Sequence, residues 1–277
     1  MEIKELLSQT DKLPNIPEVV RDLVQALNNP DANYGDIAEK VTKDQTISLK
    51  ILRLVNSAHF GLSRKVASID EAVVMLGMGK LKTLVIASGF ANSASDVEGI
   101  DLPEFWSDAF QVATIARWLA ERSGGSVEAD LAFTSGIIHN IGQLLLHMAQ
   151  PNRAMAIKTL LEQSDISRAQ AESERLGFTT ADAGEALLNL WKFPEELANA
   201  VRDQNAPQKS EDDAKLAATL FLACFIHDAA KRETGAEDVV AAFPSDIAKL
   251  AALDSDITDH LEEALALQSG MDSLAAE

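Results

Sequence analysis

The chain has 277 residues, 47% of them hydrophobic, which is enough for one large packed core or two ordinary ones. Its 43 acidic side chains against 24 basic ones leave a formal charge of −19, which argues against a general grip on phosphate backbones or anionic lipid, so neither nucleic acid nor a membrane is expected as a primary partner. The single cysteine, Cys224 in "LFLACFIH", excludes an intramolecular disulfide and a thiolate zinc cluster, and the opening "MEIKELLSQTDKLPNIP" has neither a signal-peptide pattern nor a span of about 20 apolar residues. A cytoplasmic protein is the expectation.

Helical periodicity runs from end to end, and strand-like alternation is hard to find. In "IPEVVRDLVQALNNP", Pro17 suits a first helical turn, Val20, Leu23, Val24 and Leu27 repeat at helical spacing, and Asn28, Asn29 and Pro30 stop the run. A second helix is expected over about 34–42. A third, "TISLKILRLVNSA", is apolar around much of its circumference. "SIDEAVVMLG" opens with Ser68 and Glu71 at capping-box spacing and ends on Gly77, a residue that closes a helix in the left-handed conformation at little cost. Another apolar helix is expected from Lys80 to about Asn92, and the small-polar "ANSASDVEGID" reads as the boundary between two helical parts.

The second half begins at "DLPEFWSDAF", with Pro103 at a helix start and Trp106, Phe110, Ala113 and Arg117 on one side until Gly124 and Gly125 break the run. One continuous helix is expected from about 127 to 149, carrying "GIIHNIG" and ended by Pro151. Further helices follow near 152–163, 167–176, 181–191, 194–204 and 212–232, joined by short loops. The acidic, alanine-rich remainder suggests one or two more, with Ser245 as a cap, either packed on the second part or serving as a dimer arm. The expected division is 1–98 as an N-terminal helical bundle, 99–232 as a second helical subdomain and 233–277 as a C-terminal extension.

"LPNIPEVV" followed by "ISLKILRLVNSAHFGLSRKVASIDEAVVMLG" resembles the signature of the HDOD domain, a signalling relative of the HD-type phosphohydrolases. The run Asn56-Ser57-Ala58-His59-Phe60-Gly61, then Ser68-Ile69 and Leu76-Gly77, supplies several coupled landmarks. The likeness continues through "FWSDAFQVATIARWLA", "AFTSGIIHNIGQLLL" and "AGEALLNLWKFPEELANAV", over roughly residues 10–210. It implies an all-α fold in which an N-terminal bundle packs on an HD-like helical subdomain.

The resemblance also implies where a metal-dependent hydrolase would keep its ligands: a histidine on one helix, a His-Asp pair on the next, and a later aspartate, so that a bridging carboxylate clamps cations and a metal-bound hydroxide attacks phosphorus. In this sequence Asp108 stands at the first position. His139 remains, but Asn140 replaces the aspartate, and an amide is a neutral, weak ligand. Thr180, near Asp182, falls where related domains often carry histidine, Gln204 and Asn205, next to Asp203, fall where a histidine pair is usual, and Cys224 or a neighbour meets the last position only loosely. These residues form a remnant pocket with no metal and no cofactor expected, Asp108 and His139 being the weak metal candidates, as a pair able to hold one cation. His139 reads as a hydrogen-bonded core residue and His147 as surface or core filler. His59 is given no chemistry, and His227 and His260 stand alone. Asn56 and Ser57 read as a buried polar network that ends a helix. "LGMGKLKT" lacks the spacing of a phosphate loop.

The functional expectation is a regulatory module without hydrolase activity that binds a signalling protein partner or a small ligand, and that can form a homodimer. A nucleotide receptor using the remnant pocket ranks second and a phosphohydrolase with an Asp/His/Asn set third.

Overall fold

Helix follows helix wherever the computed structural model describes the chain, that is at residues 3–8, 33–42, 48–49, 51–52, 55–56, 65–77, 81, 97–164, 166–191, 193–211 and 213–269. Among these residues the only β pairing is one isolated bridge, Val97 with Ile100, and no helix is long and apolar enough to cross a membrane. The fold is all-α. The chain divides into two compact units, one of residues 14–96, 102–107 and 269–277, the other of residues 1–13, 97–101 and 108–268.

Within the first of these units, α2 (Tyr34–Thr42) and α3 (69–77) carry the described core. Ile37, Val41, Ile51, Val55, Val73 and Leu81 are fully buried. Ser68 Oγ accepts from Glu71 N at 3.2 Å and Gly77 closes α3 at φ +72°, as the sequence suggests. The carboxylate of Glu71 takes the N–H of Ala67 rather than that of Ser68. The helix expected over 17–29, most of the one expected over 80–92, His59 and Ser57 lie outside the described residues.

Asn56 ties this unit together locally. Its Nδ2 donates to the carbonyls of Leu52 and Val66, both at 2.8 Å, and its Oδ1 accepts the N–H of Val66 at 2.7 Å. The amide serves several backbone groups, as expected, but the residue is solvent-exposed rather than buried. Asn56→Ala is therefore expected to cost about 1–2 kcal/mol, read as a lowered urea midpoint. Asn56→Gln, one methylene too long to make all three bonds, should restore only part of it.

The second unit holds the short α1 (Ile3–Leu7), α4 (Leu102–Glu121, from residue 108 on), α5 (Ala129–Ile138), α6 (Ile141–Ala149), α7 (Pro151–Gln163) and α8 (Arg168–Leu176). It continues with α9 (Thr180–Leu190), α10 (Glu195–Asp203), α11 (Lys215–Lys231), α12 (Ala236–Ala242), α13 (Ser245–Leu250) and α14 (Leu261–Leu265). Phe110, Ala113, Leu119, Leu144, Leu187, Val201 and Leu222 are among its buried residues. Gly124 and Gly125, at φ +61° and +83°, follow α4 where a stop is expected.

Three expectations about the helices need correction. The helix expected over 127–149 is two helices, because the chain turns at His139 and Asn140. His139 Nδ1 hydrogen-bonds the Gly136 carbonyl at 2.6 Å, competing with continuation of the helix, and the Asn140 carbonyl accepts from Gln143 N to start α6. In the C-terminal stretch, Ser245 is the first residue of α13 rather than its cap, which is Pro244. That stretch holds α12, α13, α14 and the 3-10 turn Ser255–His260, more than the one or two helices expected, and α11 packs against α13 and α14. Glu263 of α14 accepts from Trp118 Nε1 at 3.1 Å and pairs with Arg122 at 3.2 Å, while the Arg122 guanidinium lies 3.9 Å over the Trp118 ring.

Candidate functional site

Two glycines bracket the turn that carries the site. A Cβ on Gly136 would run into the Ala113 backbone of α4, and one on Gly142 would run into the Thr180 carbonyl and come within 2.6 Å of Gly184 N on α9. α5 and α6 therefore touch their neighbours backbone to backbone, and His139 and Asn140 sit between the two contacts. Gln204, just beyond α10, secures the turn from another side, its Nε2 donating to the carbonyls of His139 at 2.9 Å and Val201 at 2.8 Å.

A cavity of about 280 Å³ opens there, with His139, Asn140, Gln143, Thr180, Gln204 and Asn205 in its wall. Arg168, Glu172, Cys224, His227 and Asp228 complete its polar lining. Burial pushes the His139 imidazole down to about 4, against the favourable Gly136 hydrogen bond, so the ring is neutral at pH 7. Its Nδ1 faces a carbonyl, which can only accept, so Nδ1 carries the proton. Asn140 Oδ1 is buried and has no hydrogen-bond partner. Burial likewise raises the Cys224 thiol to about 12, which makes it an inert lining group rather than a nucleophile.

Glu172 is a feature that periodicity did not single out. Its side chain is 1% exposed, accepts the N–H of Thr180 at 2.7 Å and its hydroxyl at 2.9 Å, and lies 3.5 Å from Arg168 one helical turn earlier. Burial raises its carboxyl above the ordinary range in spite of those partners. Thr180 thus spends its donors on Glu172 at the start of α9. The only sequence signal for the arrangement was the i,i+4 spacing of Arg168 and Glu172.

The structure brings His139, Asn140, Thr180 and Gln204 to one wall, and Asn205 with them. Asp182 and Asp203 do not line the cavity. Asp182 caps α9, accepting from Thr179 N at 2.7 Å while Thr179 Oγ1 accepts from Asp182 N. Asp203 is held by Arg202 at 2.7 Å and by Ser210 Oγ at 2.6 Å, and the Arg202 hydrogen bond lowers its carboxyl. Asp108 pairs not with His139 but with Lys231 Nζ at 2.6 Å and His227 Nε2 at 3.3 Å, both on α11. Burial alone would raise the Asp108 carboxyl, but the His227 and Lys231 bonds outweigh it and hold it below its usual value.

His227, which the sequence left alone, is therefore part of the site, and His260 lies 4.0 Å from Glu263. His147 is 3% exposed, and its Nδ1 bonds the Glu98 carbonyl at 2.9 Å.

These residues do not fit a divalent cation. The carboxylate at position 108 already faces an ammonium, position 140 offers an amide, and among the described residues no three His, Cys, Asp or Glu side chains are grouped to hold a metal.

A family model for the HDOD domain matches residues 13–207. A solved structure from Shewanella amazonensis, described as that of a candidate phosphohydrolase, is similar with a TM-score of 0.82 at 36% identity, covering 96% of each chain. One from Marinobacter aquaeolei, described as that of a candidate signal transduction protein, has a TM-score of 0.77 at 23% identity, covering 98% of this chain and 60% of that one. A Treponema pallidum protein of uncharacterized role is 25% identical over 219 residues. The chain spans less than half the length of the curated relatives it matches.

Proposed function

The chain belongs to the HDOD family, and we propose that it is a regulatory module that binds a small polar molecule in the cavity around His139 and Asn140 without hydrolysing phosphate esters. The observation that carries this reading is the pairing of Asp108 with Lys231 and His227, beside an amide at position 140. The groups that would have to clamp a cation and its hydroxide are engaged by the protein itself or uncharged. What is left is a polar concavity lined by amides, a neutral imidazole and a balanced Arg168–Glu172 pair. Occupancy of the cavity would bear on α6, α9 and α11 together, since each contributes to its wall, and a partner protein could read that change.

The test has two readouts. Protein supplied with manganese, magnesium or ferrous iron is expected to release no p-nitrophenol from p-nitrophenyl phosphate or its bis-ester above the level of the His139→Ala and Asp108→Ala variants. Metal-dependent turnover lost in both variants would overturn the reading. A panel of small metabolites, followed by thermal shift, is expected to yield a molecule that raises the Tm of the wild type and not of Ala181→Phe, whose ring would fill the cavity. A panel without any such molecule counts against the pocket.

A further inference from the structure

The cavity wall offers more hydrogen-bond donors than the protein uses. Asn140 Oδ1 is sealed from solvent, so the polar group this residue can turn to the cavity is its amide NH2, and no described residue accepts from it. Gln143 and Asn205, in the same wall, also make no side-chain hydrogen bond with a described residue. The Arg168 guanidinium pairs with Glu172 alone, at 3.5 Å, which is longer than a good hydrogen bond. Both Glu172 oxygens are already engaged by Thr180, at 2.7 to 3.1 Å, so most of the guanidinium N–H groups stay open to water or a ligand. The carbonyls at this turn are taken instead. Gly136 accepts from His139 Nδ1 at 2.6 Å, and His139 and Val201 accept from Gln204 Nε2 at 2.9 and 2.8 Å.

Helix ends bias the same space. Asn140 and Gln143, Arg168 and Ala169, and Thr180 and Ala181 stand at the starts of α6, α8 and α9, so the positive ends of three helices border one cavity, that of α9 already capped by Glu172. Charge then limits what can enter. Arg168 is the one arginine or lysine in the wall, Glu172 lies beside it, and Asp228 is solvent-exposed and screened by water. That lining suits a single negative charge rather than the nearly double charge of a phosphate ester. A carboxylate carries one charge, and its two coplanar oxygens match the fork of a guanidinium. A volume of about 280 Å³ sits at the small end of ligand pockets.

We infer that the cavity takes a small carboxylic acid in its ionised form, its carboxylate held by the Arg168 guanidinium and the Asn140 amide NH2, in preference to the corresponding amide or phosphate ester. This rests on the pocket reading above and names the ligand class for it.

The probes are acetate, pyruvate, benzoate and nicotinate, the uncharged acetamide, benzamide and nicotinamide, and phenyl phosphate, each titrated into the full chain by calorimetry at pH 7.5. At least one carboxylate is expected to bind, with its amide weaker by about tenfold or more and phenyl phosphate weaker than benzoate. Arg168→Ala should weaken that carboxylate by about tenfold or more and shrink its margin over the amide, and Asn140→Leu should weaken it as well. The comparison of acid and amide needs no variant, so it stands even if a substitution impairs folding. Equal affinity for acid and amide, tighter binding of phenyl phosphate than of benzoate, unchanged affinity in Arg168→Ala, or no binding by any carboxylate each overturns the assignment. If the metabolite panel still yields a ligand that Ala181→Phe abolishes, the class falls and the pocket reading survives; metal-dependent phosphatase activity would sink that reading instead.

Discussion

Gly142→Ala should be among the most destabilising single substitutions in the chain, costing about 3 kcal/mol or more, or abolishing the cooperative transition altogether. The added methyl would meet the Thr180 carbonyl and the Gly184 amide, which are backbone atoms fixed by α9 and unable to move aside as a flexible side chain can. Relief requires α6 and α9 to separate, which strips the apolar contacts around Leu144 and Leu187 and pulls Thr180 from Glu172. Two graded controls sharpen the result. Gly184→Ala meets Val201 Cγ1 at 3.0 Å, a side-chain atom that can yield, so its cost should be smaller. Gly177→Ala has nothing within 4 Å and only its φ of +83° to oppose it, which costs about 1 kcal/mol. Urea unfolding followed by circular dichroism ranks the three. A loss below about 1 kcal/mol for Gly142→Ala would mean that the two helices do not meet through their backbones.

Stability should fall as the pH drops from 6.5 towards 4, and His139 should account for much of the slope. Its pKa is lowered in the folded protein to about 4 from 6.5, so its contribution is fully present above the unfolded value and is lost as pH falls through the folded one. That difference corresponds to about 3 kcal/mol. The groups around it act on the same slope in known directions. Burial also lowers His147, which adds to the acid loss, whereas the raised carboxyl of Glu172 favours the folded state at acid pH and opposes it. Asp108 is held low by His227 and Lys231, so its contribution is lost only below the ordinary aspartate range, at 3.8 and under. His139→Gln, neutral throughout, should show a visibly flatter stability profile between pH 6.5 and 4 than the wild type, whatever its stability at pH 7. An unchanged slope would show that His139 is not buried as a neutral ring.

Much of the helix order could be read in the chain because its determinants are local. Apolar residues at helical spacing, the Ser68 cap, the stops at Gly77, Gly124 and Gly125, and Pro151 between α6 and α7 each act within a few residues of themselves. The interruption at 139–140 escaped the same logic, since an unbroken apolar run fits one helix as well as two. What divides it is a side-chain bond to Gly136 together with backbone contacts from α4 and α9.

The sequence by itself determined the helical class, the family signature and the substitutions at positions 108 and 140, because residue identity and spacing are sufficient for each. Only the tertiary structure decided which of the suspected site residues share a cavity. Asp182 and Asp203 are spent on a helix cap and an Arg202 pair, while His227, Glu172 and Arg168 enter through contacts with distant or overlooked neighbours. The reason is that a carboxylate or imidazole takes its charge state and its task from whatever the fold sets within hydrogen-bond reach. For Asp108 those groups are His227 and Lys231, more than a hundred residues along the chain.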